Sequence, residues 1–292
     1  MKTKKLFYAL LVFAFFLSFF SGAEENQNTN LFPTPDDGQW LFLKEEDMAN
    51  GRYHTRHAEI FGKYVTGYNS YVLKGIDKVQ ESAPQGGGYF IGVKATPTES
   101  PVGYPLKLFG LQILNPPRTT SYCSGSSYAA FIEALNMILP DGAKRLTLER
   151  FEAMRMQEPD GGRREDGVKF WGHWNADGLA THFAVVQYSG MGEAIEPKRA
   201  RPGDFMNILW KKGLGHSVVF LGWIPAKEPG GDIGIAYWSS QPDTNGFSDV
   251  YSISVSLVKS VKTVRLTKPD NIFQFNINQS VATTITGDPI SP

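Results

Sequence analysis

The chain reads as an α+β protein, with N-terminal helices and a cysteine-bearing helix packed on an antiparallel sheet, and three observations predict it. Tyr128, Phe131, Ile132, Leu135, Ile138 and Leu139 recur at i, i+3, i+4, i+7, i+10 and i+11, the stripe of a buried helix. Further on, Phe205–Trp210, His216–Trp223, Ile233–Ser240, Val250–Leu257 and Val261–Leu266 are short apolar runs separated by turns, several bearing Gly or Pro. Helices therefore precede strands instead of alternating with them, which is the order of an antiparallel α+β fold.

Taken in order, the first residues carry an export signal. Lys2, Lys4 and Lys5 precede an apolar run from Leu6 to Phe20, and Ser21-Gly22-Ala23 offers small residues for cleavage. That order is the pattern of a secretory signal peptide over 1–23, and the run is shorter than the roughly 20 residues a membrane span needs. The expectation is export to the periplasm or the extracellular space, with no stable membrane insertion once the signal is removed. Without its three lysines the remaining chain carries 26 basic and 29 acidic residues, a net charge of about −3. Such a balance gives no electrostatic footprint for nucleic acid.

Residues 24–100 read as an N-terminal extension. It opens with a polar, Pro-bearing linker to residue 40, followed by helical patterns at Glu45–Asn50 and His57–Ile76 and a strand at Tyr89–Val93. Tyr104–Ile113 is a second strand, expected to pair with the first as a hairpin. Pro116-Pro117 breaks it before the helix of the apolar stripe, which Pro140-Asp141-Gly142 ends. Further helices are predicted at Thr147–Met156 and Leu179–Tyr188, with a charged loop at Pro159–Asp166 between them. The catalytic domain is taken as 101–268, and residues 269–292 as a C-terminal tail containing one apolar run, Phe273–Ile277.

The chain has one cysteine, so it cannot form an internal disulfide, and in an exported protein a lone thiol is either buried and inert or chemically employed. Cys123 opens the strongest predicted helix, where the positive end of the helix dipole favours the thiolate, the nucleophilic form. Small residues follow it in Ser124-Gly125-Ser126-Ser127, leaving room for a substrate carbonyl, and the Cys123 backbone N–H is placed to donate to an oxyanion. Far along the chain, Pro202-Gly203-Asp204-Phe205 leads into one strand and His216 opens the next. A histidine at a strand end can face a cleft.

Cys-Ser-Gly opening a helix, Pro-Gly-Asp-Phe before a strand, and then Gly-His-Ser-Val-Val-Phe-Leu-Gly together resemble the papain-like cell-wall hydrolases of the NlpC and CHAP type, over about residues 115–245. The resemblance implies a papain-like fold, Cys123 as nucleophile, His216 as its base, and a peptide or amide bond of peptidoglycan as substrate, with no cofactor. It also implies a third polar residue on the strand after the histidine. Alternation along Ile233–Gln241 puts Tyr237, Ser239 and Gln241 on one face, making Gln241 the first candidate, Ser239 the second and Asn245 an outsider. Tyr122, Ser124 and Trp174 are expected to line the substrate groove; the run Trp171–Asn175 either shapes that cleft or is a surface loop pinned by tryptophans.

Two other readings use the same residues: a non-catalytic binding module on this fold, and a transglutaminase-like acyltransferase. His54, His57, His173 and His182 show no recognisable zinc spacing, and no metal is expected. Gly86-Gly87-Gly88 lacks the Lys-Ser/Thr partner of a phosphate loop. Nothing in the sequence bears on oligomeric state.

Overall fold

Helix α4, Cys123–Ile138, is the centre of the structure, and every side chain from Ser124 to Leu135 is buried. A helix apolar on one stripe alone would show a solvent face, but here the other positions are small (Ala129, Ala130, Ala134), so neighbours close in all round. Its one acidic residue, Glu133, is paired with Lys78 Nζ at 2.7 Å and accepts from the Tyr104 hydroxyl at 2.9 Å. The structure is a computed structural model. It describes residues 38–65, 67–89, 104–114, 121–156, 169–282 and 284–292, all belonging to one unit that spans 32–292. The predicted signal peptide and the charged loop lie outside the described residues, as does all of the strand Tyr89–Val93 except Tyr89 itself.

Before α4 come α1 (Glu45–Met48), α2 (His57–Phe61) and α3 (Asn69–Glu81). The single helix expected over His57–Ile76 is thus two, broken after Phe61, with α3 running on to Glu81. Val72, Leu73, Ile76 and Val79 of α3 share a core with Phe131 and Leu135 of α4. Close approach depends on Gly75, where a β-carbon would stand 2.4 Å from the Ala130 carbonyl oxygen. Glycine inside a helix costs about 1 kcal/mol relative to alanine, so it is kept here for the contact it permits. The stretch set apart in sequence as an extension therefore builds the same core as the cysteine helix. Strands β1 (Lys107–Leu108) and β2 (Leu111–Gln112) form a tight hairpin with each other, turning at Phe109 and Gly110, both at positive φ. That replaces the single strand expected over Tyr104–Ile113.

After α4 come α5 (Gly142–Arg145), α6 (Leu148–Met154) and α7 (Phe170–Trp174). The Thr147 hydroxyl caps α6 by accepting from the Arg150 N–H. His182–Tyr188 is a π-helical segment within the region predicted as an α-helix. The sheet is six-stranded and antiparallel throughout. Its strands are β3 (Gly192–Ile195), β4 (Phe205–Trp210), β5 (Gly215–Ile224), β6 (Gly234–Gln241), β7 (Gly246–Ser254) and β8 (Val258–Leu266), in the order β3-β8-β4-β5-β6-β7. Along β5 alternation divides the two faces: Val219 and Leu221 join the core around α4, while Val218 and Phe220 face a second core with Met206, Ile208 and Tyr237. Phe273–Ile277 forms no strand; Pro269–Phe273 is a 3₁₀ turn that buries Ile272 against the main core. No helix among the described residues is long and apolar enough to cross a membrane.

Candidate active site

Cys123 is the first residue of α4, and the chain swings into the helix at that point. Tyr122 is still extended, with φ −145° and ψ 173°. Ser121 is fixed just before it, its N–H donating to the Gly88 carbonyl at 3.0 Å and its hydroxyl paired with that of Ser240 at 2.6 Å. Two more hydroxyl pairs join the helix to the sheet: Ser127 with Ser217 at 2.8 Å, and Ser126 with Ser239 at 3.5 Å. Small hydroxyl side chains satisfy one another in this seam without holding helix and sheet apart.

The helix is set so that the thiol meets His216, the second residue of β5. Burial works against a thiolate, but a hydrogen bond from His216 and its charge, with the N–H groups of Ser217 and Ser124, hold the thiol below its ordinary range. On its other side the imidazole Nε2 lies 3.4 Å from Gln241 Oε1, a long hydrogen bond. With Nε2 turned to Gln241, Nδ1 is the nitrogen left for the sulfur.

Gln241 ends β6, and its amide can face only one way. Its NH₂ donates to Thr244 Oγ1 at 2.6 Å and to Ser248 Oγ at 2.8 Å. Thr244 gives its own proton to a carbonyl, that of Gly246 at 2.9 Å, so its oxygen must accept from Gln241. The amide oxygen is thereby directed at the ring, and an acceptor there fixes a protonated Nε2. Ser239 is not brought to the ring, because its hydroxyl donates to the Ser217 carbonyl at 2.8 Å. Asn245 serves the backbone: it sits in the left-handed region (φ 50°) and its carbonyl accepts from the Gly88 N–H at 2.7 Å.

A cavity of about 280 Å³ opens over the thiol. Tyr122, Ser124 and Trp174, the residues expected at the groove, all border it. Trp174 is nonetheless fully buried, ringed by Tyr128, Phe131 and Phe205, and its indole N–H donates to the Ser124 carbonyl at 3.1 Å. It forms the floor beneath the first turn of α4. Trp171–Trp174 accordingly belong to a helix packed in the core, with Asn175 as its C-cap, so of the two readings of this run the surface loop is set aside. Residues without a role in the sequence reading also border the cavity, among them Tyr89, Asp177, Asn207 and Leu214. Asn207 left a trace, as a polar residue in the middle of an apolar strand. Leu214 left none, since its place depends on the β4–β5 turn, where it is 90% exposed. Asp204 of the Pro-Gly-Asp-Phe run stands apart from the cavity; fully buried, it takes both arms of the Arg265 guanidinium at 2.9 and 2.8 Å and anchors β4 to β8.

Of the four other histidines, His54, His57 and His173 are buried and His182 is half-buried. His54 and His57 stack at 4.3 Å and meet Asp249 of β7, with Asp77 of α3 on the far side of His57 at 2.7 Å. Their donor atoms lie close enough together to consider a metal. However, His54 Nδ1 accepts from the Arg56 N–H at 3.2 Å, which puts its proton on Nε2, the atom facing Asp249. Buried beside two carboxylates, His57 is held protonated, its pKa raised to about 9 although burial alone would lower it. These groups form a hydrogen-bonded charge cluster tying the N-terminal helices to the edge strand. His173 packs on Tyr188, and His182 lies near Lys262 and Asp288.

Fold and site together define an α+β protein with a thiol, an imidazole and a side-chain amide aligned at a helix N-terminus over an open cavity. No protein-family model matches this chain, and no curated protein or solved structure matches it significantly.

Proposed function

We propose that this chain is an exported cysteine hydrolase of papain-like architecture that cleaves an amide or peptide bond, with peptidoglycan as its substrate. One observation carries the reading: the line from Cys123 through His216 to Gln241, in which the thiol is held below its ordinary pKa and the ring's outer nitrogen faces an amide oxygen. In the reaction the Cys123 thiolate attacks the carbonyl carbon, a carbon–sulfur bond forms, and the carbonyl π pair moves onto oxygen. The imidazolium of His216 then protonates the departing amine, leaving a thioester. Neutral His216 next takes a proton from water as that water attacks the thioester, which releases the acid and restores the thiolate–imidazolium pair. Gln241 holds the ring and its tautomer through both steps, though as a neutral group it stabilises imidazolium less than a carboxylate would. Ser217 and Ser124 N–H groups beside the sulfur are positioned to stabilise developing negative charge.

Alkylation by iodoacetamide tests the pair directly, since Cys123 is the only cysteine. Fast labelling at neutral pH that is lost in His216→Ala supports the reading; slow labelling indifferent to His216 refutes it and leaves a binding module. Digesting purified peptidoglycan with wild type and with Cys123→Ser, and weighing the released fragments, then tests the substrate. Transfer to an added amine instead of water would identify an acyltransferase.

A further inference from the structure

Asn207 is 2% exposed, yet it borders the cavity that holds Cys123 and His216. Its amide oxygen is fully engaged, accepting from the Thr181 backbone N–H at 2.9 Å and from the Thr181 hydroxyl at 2.5 Å. A backbone N–H can only donate, so the amide cannot be reversed: reversal would set NH₂ against N–H. The NH₂ is therefore the group turned to the cavity. It has no partner among the described residues and is not sealed from the cavity. Asn175, on the same lining, meets the Ser124 hydroxyl, which can donate or accept, so only at Asn207 does a backbone N–H fix which way the amide faces.

A polar group fixed as a donor disfavours ligands that cannot accept, because such a ligand, once seated over it, displaces water and leaves the N–H unpaired. The ligand oxygen could belong to a neutral carbonyl or to a carboxylate. Asp177 shares the lining and would repel a carboxylate, which favours the carbonyl. We infer that Asn207 is a specificity-determining residue whose fixed NH₂ takes up an amide carbonyl oxygen of the substrate, so that the site selects peptide over hydrocarbon acyl groups. The inference deepens the hydrolase reading and rests on it for the reaction.

Two chloromethyl ketones of equal length test it, acetyl-alanyl chloromethyl ketone and an alkyl chloromethyl ketone without the amide. Each alkylates the thiol as a carbon–sulfur bond forms and chloride leaves with the bonding pair, and mass spectrometry follows the single adduct. In wild type the amide reagent should react at least tenfold faster. In Asn207→Asp, which keeps both acceptor bonds to Thr181 but presents an oxygen where NH₂ stood, that ratio should fall at least tenfold. The ratio cancels any general change in thiol reactivity. Equal rates in wild type, or an undiminished ratio in a folded Asn207→Asp, would overturn the inference, and the wild-type comparison stands even if the variant does not fold. Labelling that is independent of His216 would instead overturn the catalytic reading while leaving the ratio to judge Asn207.

Discussion

Replacing Gln241 with leucine removes the acceptor that faces His216 Nε2 among the described residues while nearly preserving side-chain volume. Gln241 is buried, so water cannot readily substitute for its oxygen. A hydrogen bond to a charged group contributes about 1.5–3 kcal/mol, and the 3.4 Å separation argues for the lower end of that range. About 1.4 kcal/mol corresponds to one pKa unit, so the thiolate–imidazolium pair should become roughly tenfold less populated. The sign follows from which form is stabilised: leucine cannot accept from the imidazolium, so neutral thiol–imidazole gains on thiolate–imidazolium. The rate of Cys123 alkylation by iodoacetamide, measured from pH 4 to 10, should show its neutral-pH rate fall by up to about tenfold, with the full rate recovered only at alkaline pH, where the thiol ionises without the imidazolium. Gln241→Glu should act in the opposite sense, because a carboxylate favours the imidazolium. Leucine also deprives Thr244 and Ser248 of a donor, so melting temperatures are needed to separate lost stability from lost activation. A folded Gln241→Leu whose pH profile superimposes on that of wild type would refute the reasoning.

The charge cluster at His57 makes a prediction for stability against pH. Its folded pKa is raised to about 9, so the stabilisation is complete below its unfolded value near 6.5 and is lost as pH climbs through 9. The loss should be of the order of 3 kcal/mol. Urea titrations at pH 6.5, 8 and 9.5 check it in Cys123→Ser, a background in which the thiol's opposite contribution is absent; constant or rising stability would contradict it. Gly246→Ala should cost more than about 3 kcal/mol, because φ there is +120° and a β-carbon would stand within 2.5 Å of the Gly86 backbone. Denaturant unfolding that shows a loss below 1 kcal/mol would disprove that.

Periodicity made the helix of Cys123 and the five main strands legible, because burial on a helix or a pleat writes itself into residue spacing. Strand β3 was not seen: Gly192–Ile195 has only four residues, and exposed Glu193 and Ala194 break any alternation. The hairpin at Lys107–Gln112 was missed because its turn puts Phe109, not the usual glycine or asparagine, at positive φ. Neighbours in sequence marked Cys123 and His216. The choice between Gln241 and Ser239 could not be made from alternation, which places both on one face; it depends on Thr244 and Ser248 orienting the amide and on Ser217 occupying the serine hydroxyl. Likewise His54, His57, Asp77 and Asp249 come from three distant segments, and only the packing of α2 and α3 on β7 unites them.

The row of paired hydroxyls between α4 and the sheet has a consequence for how this protein can change. A nucleophile's aim is usually secured by interlocking apolar side chains, where any alteration is felt as lost stability. Along this seam the spacing is instead gauged by single oxygen atoms at Ser121, Ser126 and Ser127. One added methyl, as in a serine-to-threonine exchange at fully buried Ser126 or Ser127, would act as a shim, tilting the sulfur relative to the imidazole at a cost of about 1–3 kcal/mol. Selection for reactivity, beyond selection for the fold, therefore bears on which hydroxyl residue stands at each of these positions.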